Sequence, residues 1–164
     1  MAKFTVMGLE EYTEQLQKLG TAAPAISKMA LYEGAGIVIE AIKTNIKALP
    51  VEGNRYLRGS DKYNVITETN KNDLLNSVGI TKMEKDDSGN WNVKIGFNDY
   101  GSPTTITKKY KKGLPNALLA RSIISGTSVR AKRPFVRTAV NSVKGKANAA
   151  MSKVVEEEQK KIMK

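Results

Sequence analysis

Apolar residues recur at helical spacing in two long stretches of the chain. In residues 21–49, Pro24 suits the first turn of a helix, an apolar stripe follows one face, and Pro50 ends the pattern. In residues 134–163, Pro134 suits the first helical position, and apolar residues then recur at three- and four-residue steps. The two patterns predict two long helices, the second of which forms the C-terminus.

Two shorter stretches carry the same kind of spacing. Residues 9–19 predict a short helix of their own, because apolar side chains recur at three- and four-residue steps and Gly20 is a suitable stop. Residues 114–125 predict a second short helix or a buried segment. Both precede one of the long helices along the chain.

The middle of the chain changes from helical spacing to alternation. Apolar and polar residues alternate over residues 91–97, and residues 75–83 are suited to a partner strand. Turn-forming residues 84–90 join the two, which predicts an antiparallel hairpin. Asp86 and Asp87 lie in this turn with no further acid at the spacing of a calcium loop, so we interpret them as turn residues and not as metal ligands.

Together these elements predict an α+β fold, in which a small antiparallel β-sheet packs against two long α-helices, with short helices and long loops. The long loops are predicted at residues 50–70 and 99–113, and the C-terminal helix at 134–163. The length of 164 residues predicts a single domain, residues 1–164, with a core large enough to fold unaided.

Composition argues against most kinds of chemistry. The chain contains no cysteine and no histidine, so it has no disulfides, no thiol nucleophile, no histidine acid–base pair and no common zinc or haem ligands. Neither a phosphate-binding loop nor a nucleophile elbow occurs, and the acids are scattered. We therefore expect no enzyme, no cofactor and no metal. No apolar run approaches the roughly 18 residues of a membrane span, so we also expect a soluble protein, made in the cytoplasm, with no membrane partner.

Charge is distributed unevenly along the chain. The net charge is +11, yet residues 100–155 contain 12 Lys/Arg and no Asp/Glu, whereas the remainder contains 15 basic and 16 acidic residues. Such asymmetry indicates an anionic partner, which would be nucleic acid, a membrane surface or an acidic protein face. The alternative is a basic surface that serves solubility alone.

Two groups of basic residues are candidates for partner contacts. One surrounds the predicted start of the last helix, where each cation costs about 0.3–1 kcal/mol because the helix dipole already makes that end positive. This group, with the aromatic residue in its midst, is the predicted oligomer or partner interface: Arg130, Lys132, Arg133, Phe135 and Arg137. The second group is a candidate contact with DNA in a channel or with a partner: Lys108, Lys109, Lys111, Lys112, Arg55 and Arg58.

Four segments occur in an order that resembles a known family. They are DLLNSV at 73–78, VKIGF at 93–97, a segment at 120–128 that ends in GTS, and RPFVRTAV at 133–140. The start, Gly8-Leu9-Glu10-Glu11, fits the same pattern. In this order they resemble the neck, or tail-completion, proteins of long-tailed bacteriophages of the lambdoid siphophage type, and RPFVRTAV is the most specific part. The chain departs from the family at Asn72-Asp73, where a glycine is usual, and at Ile124-Ser125, where a glutamate is usual.

The resemblance implies a virion structural protein, made in the cytoplasm of a bacterial host. It implies a homo-oligomer, a hexameric ring, at the head–tail junction that joins the tail to the DNA-filled head. Phage head-connector and tail proteins are the implied partners, with nonspecific contact to genomic double-stranded DNA in the channel. Two alternatives stay open: a tail terminator or head-closure protein of the same junction, and a cytoplasmic nucleic-acid-binding protein that uses the basic C-terminal half.

The role of the cations has several interpretations at this stage. Arg133 and Arg137 would pair with acids of the same subunit, such as those of Leu9–Glu14, with acids of a neighbouring subunit, or with DNA. Pairing within or between subunits ranks above DNA, because a conduit that gripped DNA tightly would hinder its ejection. Phe135 would anchor either the core or a subunit contact.

Overall fold

The structure is a computed structural model that describes residues 9–51, 66–102, 106, 108–127 and 130–163. It has an α+β architecture, as the sequence predicts. Within the described residues lie α1 (Leu9–Lys47), α2 (Glu68–Ser77), β1 (Val78–Ile80), β2 (Glu84–Lys85), β3 (Trp91–Asn92), β4 (Ile95–Phe97), α3 (Asn116–Ser125) and α4 (Phe135–Ile162). None of the described helices combines the length and apolar character needed to span a bilayer.

The two long helices, α1 and α4, pack against each other along much of their length. At one end the side-chain Nδ2 of Asn45 donates a hydrogen bond of 2.9 Å to the carbonyl oxygen of Phe135. Farther along, Gly34 lies against Met151, so close that a Cβ on Gly34 would be 2.7 Å from the Met151 Cγ and Sδ. Residue numbers fall along α1 as they rise along α4, so the pair is antiparallel.

The core lies at the end where α1 finishes and α4 begins, which we call the head. There α2 and α3 cover the two long helices, and the strands add Val78, Ile95 and Phe97 at its edge. The buried cluster comprises Ile42, Ile46, Leu49, Ile66, Leu74, Leu119, Ala120, Ile123, Phe135 and Ala139. Its members come from all four helices, so a single apolar cluster ties these elements together.

The strands form one interrupted antiparallel hairpin. In the register of β1 and β4, Val78 lies opposite Phe97 and Ile80 opposite Ile95, while β2 pairs with β3 nearer the turn. Between the two pairs the Thr81 amide donates to the Lys94 carbonyl at 2.9 Å, and the Lys94 amide donates to the Thr81 hydroxyl at 2.9 Å. This side-chain bond replaces a regular ladder step, so the predicted strand 91–97 is divided into β3 and β4.

The turn of the hairpin is organised by Asp86. Its Oδ1 accepts hydrogen bonds from the amides of Ser88, at 3.0 Å, and of Asn90, at 2.8 Å. A carboxylate that bonds the backbone a few residues ahead is typical of turns. The structure therefore confirms turn chemistry for Asp86.

The separate helix predicted for residues 9–19 is wrong, because α1 runs without interruption from Leu9 to Lys47. Gly20 does not stop it, and Pro24 lies in its interior. Proline removes one intrahelical hydrogen bond, the one to the carbonyl of Gly20. Both residues are exposed, so water can satisfy that carbonyl and the helix continues.

Other boundaries also differ from the prediction. The helix α2 begins inside the predicted loop 50–70 and includes residues 75–77 of the predicted strand. Its start has a capping box: the Thr67 hydroxyl accepts from the Asn70 amide, and the Asn70 side chain accepts from the Thr67 amide. The remainder of that loop, residues 52–65, lies outside the described residues.

The last helix starts one residue later than predicted, since Pro134 is its N-cap and Phe135 its first residue. In the loop predicted at 99–113, the described residues contain no helix or strand. Tyr100 forms an isolated antiparallel bridge with Pro115, which ties the two ends of that loop together.

Candidate interface at the head

The connection from α3 to α4 turns sharply at Gly126. Its φ of +75° lies in the region that favours glycine, and a Cβ there would be 2.9 Å from the Lys132 amide nitrogen and 3.1 Å from the Arg130 carbonyl oxygen. The Thr127 amide donates to the Arg130 carbonyl at 2.8 Å, and the Arg133 amide donates to the Ile123 carbonyl at 2.8 Å. These bonds hold the basic segment against the end of α3.

The cations of this segment have different environments. Arg130 is half-buried, and its Nη1 donates a hydrogen bond of 2.5 Å to the Ser122 hydroxyl. Burial lowers the pKa of the Arg130 guanidinium, because removal from water disfavours the charged form. Lys132 and Arg137 are exposed. Arg130 therefore anchors the connection to α3, while Lys132 and Arg137 face solvent.

Arg133 lies between these extremes. It is half-buried, and its Nε is buried without a hydrogen-bond partner among the described residues. A buried donor that lacks a partner costs about 1–3 kcal/mol, and more where the group is charged. Because this nitrogen is itself shielded from solvent, the cost lies inside the folded chain and does not indicate an external acceptor.

Of the interpretations given for Arg133 and Arg137, pairing with acids near the start of α1 of the same subunit is wrong. Glu14 precedes Asn45 by 31 residues on one continuous helix, which is about 46 Å at 1.5 Å per residue, and Asn45 marks the position of the α4 start. Neither arginine forms an ion pair with any residue that the structure describes, and the same holds for Lys132. The physical reason is the single long α1, which carries those acids to the far end of the molecule.

A surface pocket of about 530 Å³ lies beside the start of α4. Ile124 and Pro134 give it apolar surface, and Lys132 and Arg137 give it positive charge. The other described residues of the lining are Ser125, Thr138 and Asn141, so the described part of its walls contains no acid. Sequence reasoning missed two of the three α4 residues of this lining, Thr138 and Asn141, although they follow Pro134 at helical steps of four and seven.

Phe135 does not belong to this surface. It is 5% exposed, and its ring meets that of Phe97 edge to face, with centroids 6.1 Å apart and an interplanar angle of 72°. Of the two roles predicted for it, the structure supports the anchor in the core. It is therefore removed from the candidate interface.

The second basic group lies next to the start of α3. Lys108, Lys109, Lys111 and Lys112 are all exposed, and the Lys109 ammonium is 5.5 Å from the centroid of the Tyr110 ring. The Gly101 amide donates to the Leu114 carbonyl at 2.8 Å, so the loop that carries these lysines returns to the head. Arg55 and Arg58, the other members of the group, lie outside the described residues.

The four segments that carry the family resemblance meet in the head. Segment 73–78 closes α2 and forms the start of β1, which pairs with β4 from segment 93–97. Segments 120–128 and 133–140 supply the end of α3 and the start of α4. Three of the segments contribute residues to the buried cluster, among them Leu74, Ile123 and Phe135, each at most 5% exposed. Segment 93–97 packs the partly buried Ile95 and Phe97 against that cluster. The segments are thus distant in sequence and adjacent in space.

Comparison with known proteins adds no family to this description. The chain matches no protein-family model, no curated protein sequence and no solved structure. Within the described residues, no group of three or more acidic side chains is placed to hold a metal ion. The interface at the head is therefore interpreted from its own geometry and from the resemblance of the four segments.

Proposed function

We propose that this chain is a virion structural protein of a long-tailed bacteriophage, which forms a hexameric ring at the head–tail junction and joins the tail to the DNA-filled head. Head-connector and tail proteins of the phage are its proposed partners. The observation that carries the proposal is that the four neck-like segments meet in space: three contribute residues to the buried cluster, and segment 93–97 packs against it. Residues that build the core are the ones a shared fold requires, so their joint presence supports a likeness of fold and not a chance match of short motifs.

The surface of this chain beside the start of α4 supports a role in assembly. Lys132 and Arg137 are exposed beside apolar Ile124 and Pro134, and a mixture of cations and apolar surface suits a protein partner with acidic and apolar side chains. A connector needs such surfaces and needs no catalytic group.

The test is electron microscopy of lysates from a producing strain in which this gene is deleted. We expect filled heads beside detached tails, and normal particles once the wild-type gene is supplied again. A gene with Arg137→Glu should restore fewer joined particles, whereas Lys144→Glu, the same charge change outside the pocket, should restore them fully. Circular dichroism of both purified variants controls for unfolding. Intact tailed particles from the deletion strain would overturn the proposal.

A nucleic-acid-binding role is the second candidate, and the four exposed lysines at 108–112 favour it. It predicts intact tailed particles in the deletion lysate. It also predicts an affinity of the purified chain for DNA that falls steeply with salt, because each phosphate contact releases counterions.

A further inference from the structure

The first turns of α1 extend past the end of α4. Asn45 lies beside Phe135 and Gly34 beside Met151, so extending this register places the last residue of α4, Ile162, opposite α1 at about residues 18–23. Burial agrees, since every side chain from Glu10 to Ala25 is exposed or half-buried. We call residues 9–19 of α1 the overhang.

The overhang continues the apolar face that packs on α4 elsewhere. Tyr12 is 51% exposed and Leu16 is 45% exposed. At 100° per residue, Tyr12 lies within about 40° of Ile26 around the helix, and Leu16 within about 40° of Ala30. Ile26 and Ala30 are both buried. The apolar face of α1 that packs against α4 therefore continues into the overhang, where no described residue covers it.

The overhang is also acidic. Glu10 and Glu11 form no ion pair with a described residue, and Glu14 pairs with Lys18 of the same helix at 2.7 Å. Three acids and one cation give the overhang a net charge of −2. At 100° per residue, the three acids lie about 120–180° from the middle of the face formed by Tyr12 and Leu16, with Glu11 nearest to it. The overhang thus presents apolar and acidic groups, and the pocket at the start of α4 presents apolar and basic groups.

These two surfaces complement each other in charge and in apolar character but cannot meet within one chain. About 46 Å of continuous helix separates Glu14 from the level at which α4 begins. A second copy of the chain removes this restriction, because its overhang can approach the pocket from outside. Complementary charge also favours the correct orientation on encounter.

We propose that the overhang of one copy docks into the pocket at the start of α4 of the next copy. Tyr12 and Leu16 pack against the apolar walls formed by Ile124 and Pro134. Glu11 lies within reach of Lys132 and Arg137.

Such a contact joins two different surfaces of the chain, so each copy can bind the next in the same way. The series closes into a ring if the rotation between successive copies permits. The inference deepens the proposed function and rests on it for the closed ring. The contact itself is a property of the chain alone and is testable on the purified protein.

Cysteine crosslinking tests the contact directly, because the natural chain has no cysteine. A Leu16→Cys chain is mixed with a Thr138→Cys chain at high protein concentration, with a short bis-maleimide reagent. We expect mixed dimers to dominate over dimers of either variant alone. The matched control replaces Thr138→Cys with Ser152→Cys, an exposed position of α4 outside the pocket, and should yield little mixed dimer. Equal yields at both positions, or none at Thr138→Cys, would overturn the proposal.

Charge reversal identifies the surfaces. Glu11→Lys in the Leu16→Cys chain, or Arg137→Glu in the Thr138→Cys chain, should reduce the mixed dimer, and the two reversals together should restore part of it. Predominant Leu16→Cys homodimers would show that overhangs pair with each other and would overturn the proposal. If crosslinking appeared only after residues 1–8 were removed, those residues would be the occupant of the apolar face of the overhang. That result would also overturn the proposal.

The outcomes separate this inference from the proposed function. Crosslinks at Thr138→Cys without a junction defect in the deletion strain would keep the contact and overturn the phage role. A junction defect without crosslinks would keep the role and overturn the contact.

Discussion

The two ends of α1 carry similar apolar spacing and meet opposite environments. At the C-terminal end Ile42 and Ile46 are at most 1% exposed, and at the N-terminal end Tyr12 and Leu16 are about half exposed. Around Ile46 the head supplies α2, α3 and the start of α4. Around Leu16 the described residues supply no covering element, because α4 ends first. An amphipathic pattern therefore shows which face of a helix is apolar, and only the rest of the fold shows how much of that face has a partner.

The largest expected effect contrasts these two ends directly. Ile46→Ala should lower the free energy of unfolding by about 2–5 kcal/mol, because it leaves a cavity in the buried cluster. Leu16→Ala, on the same helix, should change it by less than about 0.5 kcal/mol, because the side chain is already in contact with water. Urea unfolding of the monomer at low protein concentration measures both. A large loss for Leu16→Ala would mean that the overhang is covered within the monomer.

A smaller effect is expected midway along α1, where α4 still covers it. Gly34→Ala would place a Cβ 2.7 Å from the Met151 side chain, whereas the Cβ of Gly36→Ala would have no neighbour within 4 Å. Both changes gain the same helix propensity, about 1 kcal/mol. The two variants should therefore differ by the cost of displacing the Met151 side chain. Because a methionine side chain is flexible, we expect this cost to be about 1 kcal/mol or less, in favour of Gly36→Ala.

Denaturant unfolding of the two variants side by side measures this difference. Met151→Ala provides the control, since it removes the clashing atoms and should bring Gly34→Ala closer to Gly36→Ala. If Met151→Ala left the stability difference between the two glycine variants unchanged, that result would contradict the contact between Gly34 and Met151.

The same contrast explains how far sequence reasoning reached. Periodicity correctly predicted the α+β class, the last helix to within a residue and the turn at Asp86, because each depends on neighbouring residues. It failed at Gly20 and Pro24, where residue types that usually end a helix are tolerated because that part of α1 is exposed. It also extended a strand through residues 75–77, where the capping box at Thr67 instead sustains a helix.

The candidate interface was predictable in part. The cations near the start of α4 were candidates because the helix dipole makes that position unfavourable for positive charge. Lys132 and Arg137 are indeed exposed. The burial of Phe135 was one of two alternatives, because it depends on Phe97, which is distant in sequence. The separation of those cations from Glu14 was not predictable, because it requires knowing that α1 is continuous.

The smallest expected effect concerns the ion pair that stabilises the overhang locally. Lys18 donates a hydrogen bond to Glu14 and lowers the pKa of that carboxyl below its ordinary value of 4.5. A depressed folded pKa means that the carboxylate stabilises the helix at pH values above 4.5, and that this contribution is lost as the pH falls through the folded pKa. Lys18→Ala should therefore raise the pKa of Glu14 toward 4.5, as measured by NMR titration of its side-chain carboxyl carbon.

Lys28→Ala is the matched control for this titration, since Lys28 is exposed on the same helix three to four turns away and should leave Glu14 unchanged. If Lys18→Ala left the pKa of Glu14 unchanged, that result would contradict the ion pair between Glu14 and Lys18. Both groups are exposed, so the effect on overall stability should be slight. A small effect also agrees with the contrast between the two ends of α1. The Glu14–Lys18 pair is local, on the polar side of the overhang, and it leaves the face with Tyr12 and Leu16 available to a second copy.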